Sequence, residues 1–102
     1  AEAHFRLALQ SQPKHREAHF SLARILTLAG KAEAESHYLE SLVVEDERTA
    51  VHRYYLADYY HRAGRLDEAI REARAARDLA ERYAKHDLAR YLTDLVQRWQ
   101  SR

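Results

Sequence analysis

LARILTLAG at residues 22–30 returns as LADYYHRAG at residues 56–64, with leucine, alanine and a closing Ala-Gly pair at matching positions. The two closing glycines, Gly30 and Gly64, are 34 residues apart. A fixed period of that length is typical of stacked helix-turn-helix units, each of which buries its apolar face only against a neighbour. The repeat therefore predicts an all-α chain built from paired helices.

Two further phrases recur in phase with the glycines. The first phrase is a Leu-Ala pair with a further matched residue three positions before the leucine and three positions after the alanine. Its copies are His19-x2-Leu22-Ala23-x2-Leu26, Arg53-x2-Leu56-Ala57-x2-Tyr60 and Lys85-x2-Leu88-Ala89-x2-Leu92. The second phrase reads Ala1-x3-Phe5, Ala34-x3-Tyr38 and Ala69-x3-Ala73, and Pro13 closes its first copy. Over nearly the whole chain these phrases resemble the tetratricopeptide repeat family, whose pattern is W-x2-L-G-x2-Y, then A-x3-F, then P.

The resemblance implies a right-handed α-solenoid of stacked helix-turn-helix repeats. We expect a single domain over residues 1–102, with a half repeat at 1–12, full repeats at 15–47 and 49–83, and a C-terminal capping helix at 85–101. The alternative for the last helix is the first half of another repeat. Because Ala1 already lies inside a helical pattern and is not an initiator methionine, we expect the sequence to be a piece of a longer protein.

Local patterns add detail to this expectation. Gly30 and Gly64 are expected to cap their helices in the left-handed conformation. A return helix is expected to begin at Lys31 and to pack through Ala34, Tyr38, Leu39 and Leu42. The last helix is expected to present one apolar stripe, formed by Leu88, Tyr91, Leu92, Leu95, Val96 and Trp99.

The composition excludes several classes of function. The chain has no cysteine, which excludes disulfides and thiolate chemistry. Lys and Arg number 17 against 16 Asp and Glu, and a net charge of +1 is too balanced for general nucleic-acid binding. No apolar run approaches the length of a membrane span, and no phosphate-binding loop or nucleophile elbow is present. We therefore predict a non-enzymatic protein without a cofactor.

The seven histidines raise the question of a metal site. His15 and His19 are four residues apart, which places them on one helix face, but a zinc-protease motif needs Glu where Arg16 stands. We therefore predict no metal site and interpret the histidines as solvated or packing residues.

The remaining candidates lie along the helices that open each full repeat. In the family that the chain resembles, these helices line a concave surface, and the resemblance assigns partner contacts to Glu17, Phe20, Ser21, Arg24 and Thr27, and then to Val51, Tyr54, Tyr55, Asp58 and His61. Tyr and Arg are enriched at binding hot spots. The alternative is that the tyrosines pack between helices.

We accordingly expect a protein–protein interaction scaffold that binds a peptide or helical segment of another protein in a concave groove. The alternative is a structural assembly element that self-associates or stacks through its repeat edges. That alternative rests on the half repeat, whose Phe5, Ala8 and Leu9 would form an unpaired apolar face. The partner's identity and the compartment stay open.

Overall fold

The fold is all-α. The computed structural model describes residues 1–101, and in that range it contains six α-helices and no β-strand. In chain order the helices are α1 (Glu2–Ser11), α2 (Arg16–Leu28), α3 (Ala34–Ser41), α4 (Thr49–Arg62), α5 (Leu66–Arg82) and α6 (His86–Gln100). Two compact units divide the chain, unit 1 from Ala1 to Val44 and unit 2 from Glu45 onward. Within them α2 packs on α1 and α3, and α5 packs on α4 and α6.

Unit 1 is held together mainly by α2 and α3. Leu22 and Leu26 on α2 are completely buried, and Tyr38 on α3 is 1% exposed. The Tyr38 hydroxyl lies 2.9 Å from Thr27 Oγ1. Because the Thr27 hydroxyl already donates to the carbonyl of Ala23 at 2.8 Å, Tyr38 is the donor between these two hydroxyls. By contrast, α1 contributes no buried residue.

Unit 2 is built around an alanine stripe on α5. Ala69, Ala73, Ala76 and Ala80 are all completely buried, and their spacing of four, three and four residues places them on one helix face. Such small side chains let neighbouring helices approach closely, and α5 packs against both α4 and α6. The larger apolar side chains of the core come from those two helices, among them Leu56, Leu92 and Trp99.

Three helices end in a left-handed residue. Gly30 has a φ of +70° and Gly64 a φ of +79°, so both sequence-predicted caps are confirmed. Each cap makes the paired backbone bonds of a Schellman motif, such as Gly64 N–H to the His61 carbonyl at 3.1 Å and Arg65 N–H to the Tyr60 carbonyl at 2.8 Å.

The third left-handed residue is an alanine. Ala84, after α5, has a φ of +58°, and its N–H donates to the Glu81 carbonyl at 3.2 Å. The next residue, Lys85, donates to the Ala80 carbonyl at 2.7 Å, which completes the same motif. An L-residue is strained in this region of backbone conformation, so α5 ends in a turn that glycine would satisfy better.

The sequence-based expectations were wrong at α3 and at two exposed side chains. Helix α3 begins at Ala34 instead of Lys31, because residues 31–33 form a tighter turn, in which the Ala34 N–H donates to the Lys31 carbonyl and the Glu35 N–H to the Ala32 carbonyl, both at 3.2 Å. The structure also places Leu39 and Tyr91 outside the packed faces, with 50% and 44% of their surfaces exposed. No helix among the described residues is both long and apolar enough to cross a membrane.

Candidate partner-binding surface

One face of α4 carries the sequence-predicted contact residues of unit 2. Val51 is 39% exposed, and Tyr54, Tyr55 and Asp58 are partly exposed. Their spacing of three and four residues places them side by side on the helix. The opposite face of α4 is buried through Leu56 and its neighbours. The helix therefore separates a packed side from an open side that carries two tyrosines and a carboxylate.

A tyrosine from α6 joins this open face. The hydroxyl oxygens of Tyr54 and Tyr91 lie 3.2 Å apart in a hydrogen bond, and their ring centroids are 5.6 Å apart at an angle of 83°. The rings of Tyr54 and Tyr55 are 5.0 Å apart at 58°. We call Tyr54, Tyr55, Asp58 and Tyr91 the tyrosine surface. Helical spacing predicted Tyr91 as part of the apolar stripe of α6, although its place at the edge of that stripe, next to Arg90, is a signal of exposure.

The surroundings of Tyr54 disfavour ionisation of its hydroxyl. Partial burial, the hydrogen bond with Tyr91 and the nearby Asp58 carboxylate all raise the pKa of Tyr54 above its ordinary value. The Tyr54 hydroxyl therefore stays protonated and keeps its hydrogen bond to Tyr91. The Asp58 carboxylate accepts a hydrogen bond from Arg62 Nε at 2.8 Å, a contact between exposed or half-exposed groups on one helix.

His61, the last α4 candidate, is turned toward α6. Its ring stacks on Trp99 with a centroid distance of 4.6 Å and an interplanar angle of 9°. Its Nε2 atom is buried and has no hydrogen-bond partner among residues 1–101. One face of the His61 ring therefore packs against Trp99 inside unit 2, while the side chain as a whole stays partly exposed.

The candidates on α2 share the open face of that helix in unit 1. Arg24 is exposed, and Glu17, Phe20 and Ser21 are partly exposed. The Phe20 ring packs edge-on against Tyr38, with centroids 6.3 Å apart.

Thr27 differs from its assignment, whereas Tyr59 packs between helices, as the alternative for the tyrosines expected. Thr27 is wrongly assigned as a contact residue, because it is 8% exposed and its hydroxyl is bonded inside unit 1. Tyr59, one of the tyrosines with a packing alternative, is 7% exposed and belongs to the core of unit 2.

The histidines of unit 1 have different roles. His15 Nδ1 accepts a hydrogen bond from the Ala18 N–H at 3.1 Å and so caps the start of α2. His19 points instead toward α3, where its Nδ1 lies 2.9 Å from His37 Nδ1. The helical spacing of His15 and His19 therefore does not bring their ring nitrogens to one site.

Two oxygen atoms flank the His19–His37 pair. His19 Nε2 lies 2.7 Å from the Pro13 carbonyl, and His37 Nε2 lies 3.1 Å from Glu33 Oε2. The Pro13 carbonyl and the Glu33 carboxylate are acceptors, so each Nε2 atom is the donor in its contact. The two rings therefore link the start of α2 to α3 through polar contacts.

Arg6 extends this network to α1. It donates to both carboxylate oxygens of Glu33, at 3.0 and 3.1 Å, and to Glu2 at 3.0 Å. A pocket of about 390 Å³ borders the network, but its Arg6 and histidine nitrogens are occupied by these protein partners. The network therefore links α1, α2 and α3 through polar contacts. In the described part of the chain, no group of three His, Cys, Asp or Glu residues could hold a metal ion.

The open face of α4 presents aromatic rings, hydroxyls and a carboxylate. These groups are capable of apolar contact and of hydrogen bonding. No protein-family model matches the chain, and no curated protein matches it.

Proposed function

We propose that this protein is a non-enzymatic interaction module that binds a peptide or helical segment of another protein. The proposal takes from the tetratricopeptide repeat resemblance that helix pairs stack as a right-handed solenoid and that α2 and α4 are the inner helices. Glu17, Phe20, Ser21 and Arg24, and then Val51, Tyr54, Tyr55, Asp58 and His61, would face the partner. The proposal includes no cofactor.

The observation that carries the proposal is the tyrosine surface. Three tyrosines from two helices remain partly exposed while other tyrosines of the chain, such as Tyr38 and Tyr60, are buried. Their mutual contacts limit the freedom of the rings, so binding loses little side-chain entropy. Rigid tyrosines are common anchors at protein interfaces, and truncating one costs about 2 kcal/mol or more at a hot spot.

Selection from a displayed library of random peptides tests the proposal. The native chain is the target, and the affinity of enriched peptides is then measured by calorimetry. We expect Tyr54→Ala/Tyr91→Ala to weaken binding at least about tenfold, because the surface would lose two aromatic contacts. Tyr83→Ala is the matched control, since Tyr83 is partly exposed in the same unit but lies at the end of α5.

Circular dichroism establishes that each variant keeps its helical content. Failure to enrich any peptide, or equal loss of affinity in the double variant and the Tyr83→Ala control, would count against the proposed function.

A second candidate function, assembly through the repeat edge, is favoured by α1. This helix has no buried residue, its Leu7 is 61% exposed, and Phe5, Ala8 and Leu9 are partly exposed. Sedimentation over a dilution series, with Leu7→Glu as the edge variant, distinguishes this function. Assembly predicts an oligomer that Leu7→Glu dissociates, and a monomer at every concentration contradicts it.

A further inference from the structure

We infer that copies of this chain associate head to tail, with α6 of one copy packing against α1 of the next. This inference rests on the second candidate function, assembly through the repeat edge, and adds which two surfaces meet. It does not depend on peptide binding by the tyrosine surface.

The helices are of two kinds, which alternate in the packing. The Leu-Ala phrase marks α2, α4 and α6, which we call opening helices, and the Ala-x3 phrase marks α1, α3 and α5, which we call return helices. In unit 1, α2 packs on a return helix at each side, α1 and α3, and in unit 2, α5 packs on an opening helix at each side, α4 and α6. By contrast, α1 packs on the opening helix α2 and α6 on the return helix α5, so each keeps one flank for a helix of the other kind.

Burial identifies the open flank of α1. In the repeat, Phe5 corresponds to Tyr38 and Ala73, which are 1% and 0% exposed, but Phe5 itself is partly exposed. Ala8, one turn further along the same face, is partly exposed as well. The Tyr38 hydroxyl lies 2.9 Å from the hydroxyl of Thr27 on α2, so this face of a return helix meets the opening helix of its own pair. The matching face of α1 has room for an opening helix.

The open flank of α6 is identified in the same way. Leu88 corresponds to Leu22 and Leu56, which are 0% and 1% exposed, but Leu88 is partly exposed. Thr93 corresponds to Thr27, and both hydroxyls donate to the carbonyl four residues earlier. Thr27 meets a return helix through Tyr38, whereas Thr93 is partly exposed. The matching face of α6 has room for a return helix.

These two flanks are the two halves of one helix pair. Phe5 on α1 and Leu88 on α6 provide apolar area at positions that are buried where a helix pair is complete. A second copy supplies the half that the first copy needs, because every copy carries both. The meeting surfaces differ, so the contact is heterologous, and each copy uses α1 toward one neighbour and α6 toward the other.

The association relies on apolar contact instead of charge. Glu72 on α5 accepts a hydrogen bond from Arg53 on α4 at 2.7 Å. The corresponding positions of the open flanks hold His4 and Lys85, which are exposed and not of opposite charge. Added salt should therefore leave the association intact, since screening weakens ion pairs and not apolar burial.

Sedimentation velocity over a dilution series tests the inference with two variants and their equimolar mixture. Phe5→Glu damages the α1 flank and Leu88→Glu the α6 flank. We expect each variant alone to associate at least about tenfold more weakly than the native chain, because the contact would bury an unpaired carboxylate. The mixture should form a dimer that does not grow, since it retains one intact α1 flank and one intact α6 flank.

Gln97→Glu is the matched control on α6. Gln97 is exposed and lies nine residues after Leu88, about two and a half turns, which places it on the opposite side of the helix. It adds the same charge and should associate like the native chain. Circular dichroism checks helical content, and Phe5→Ser or Leu88→Ser replaces a glutamate variant that loses it.

A native chain that stays monomeric at every concentration overturns this inference and the second candidate function together. Assembly that Phe5→Glu abolishes and Leu88→Glu preserves would mean that α1 meets another α1, so head-to-tail association fails while assembly through the edge stands. Absence of a dimer in the mixture of helical variants, or equal weakening by Gln97→Glu, also overturns the inference.

Discussion

The left-handed alanine at the end of α5 gives a sensitive test of the fold. Ala84 has a φ of +58°, a conformation that costs an L-residue about 1–2 kcal/mol. Replacing it with glycine removes that cost, but the unfolded chain gains freedom equivalent to about 0.4–1 kcal/mol. We therefore expect Ala84→Gly to raise the free energy of unfolding of unit 2 by about 1 kcal/mol.

Gly64→Ala is the matched change of opposite sign. Gly64 has a φ of +79°, and a Cβ added there would meet no atom within 4 Å, so no steric clash adds to the backbone cost. The expected loss of stability is about 1 kcal/mol. Ala63→Gly is the control, because this exposed neighbour has a φ of −83° and should lose about 0.5–1 kcal/mol on replacement.

Urea unfolding followed by Trp99 fluorescence measures these effects in unit 2. Trp99 is the chain's single tryptophan and is 7% exposed on α6. With a denaturant dependence of about 2 kcal/mol per molar urea, the expected change of 1 kcal/mol moves the midpoint by about 0.5 M. A fall in the midpoint of Ala84→Gly, similar to that of Ala63→Gly, would refute the left-handed cap.

The other predictions concern two polar contacts and the core. Hydrogen bonding to Arg6 lowers the pKa of Glu33 from 4.5 to about 2. The ionised carboxylate therefore stabilises the fold at pH values above its ordinary pKa, and this stabilisation is lost as the pH falls toward 2. Glu33→Gln should flatten the acid unfolding curve over that interval, as followed by circular dichroism, and an unchanged curve would contradict the contact. His19→Leu should cost about 1–3 kcal/mol in urea unfolding because it removes the donor to the Pro13 carbonyl; a change below about 0.5 kcal/mol would contradict that role. Trp99→Ala should cost about 3–5 kcal/mol, measured by circular dichroism in urea, and near-native stability would mean that the ring is not packed as described.

The helices and their glycine caps could be predicted from the sequence because their causes are local. Gly30 and Gly64 combine a helix end with the residue that tolerates positive φ best, and both adopt it. Ala84 could not be predicted in the same way, since alanine carries no preference for the left-handed region. The turn there follows from the backbone bonds of Ala84 and Lys85 to the end of α5.

The side-chain contacts depend on residues that are distant in sequence. Helical spacing placed Tyr54, Tyr55 and Asp58 on one face, but it carried no information on the contact with Tyr91, which is 37 residues away from Tyr54. The pairing of His19 with His37 across α2 and α3 is hidden for the same reason. Spacing predicts which residues share a helix face, whereas the partner of that face depends on how helices pack.

NMR mapping of a library-selected peptide shows whether the tyrosine surface is the proposed contact site for a partner. We expect the largest shifts on Tyr54, Tyr55, Asp58 and Tyr91. We also expect Tyr54→Ala/Tyr91→Ala to weaken binding of the peptide at least about tenfold, while Tyr83→Ala leaves its affinity near the native value. Shifts confined to other faces of the protein, with the affinity of the double variant unchanged, would show that the tyrosine surface is not the binding site.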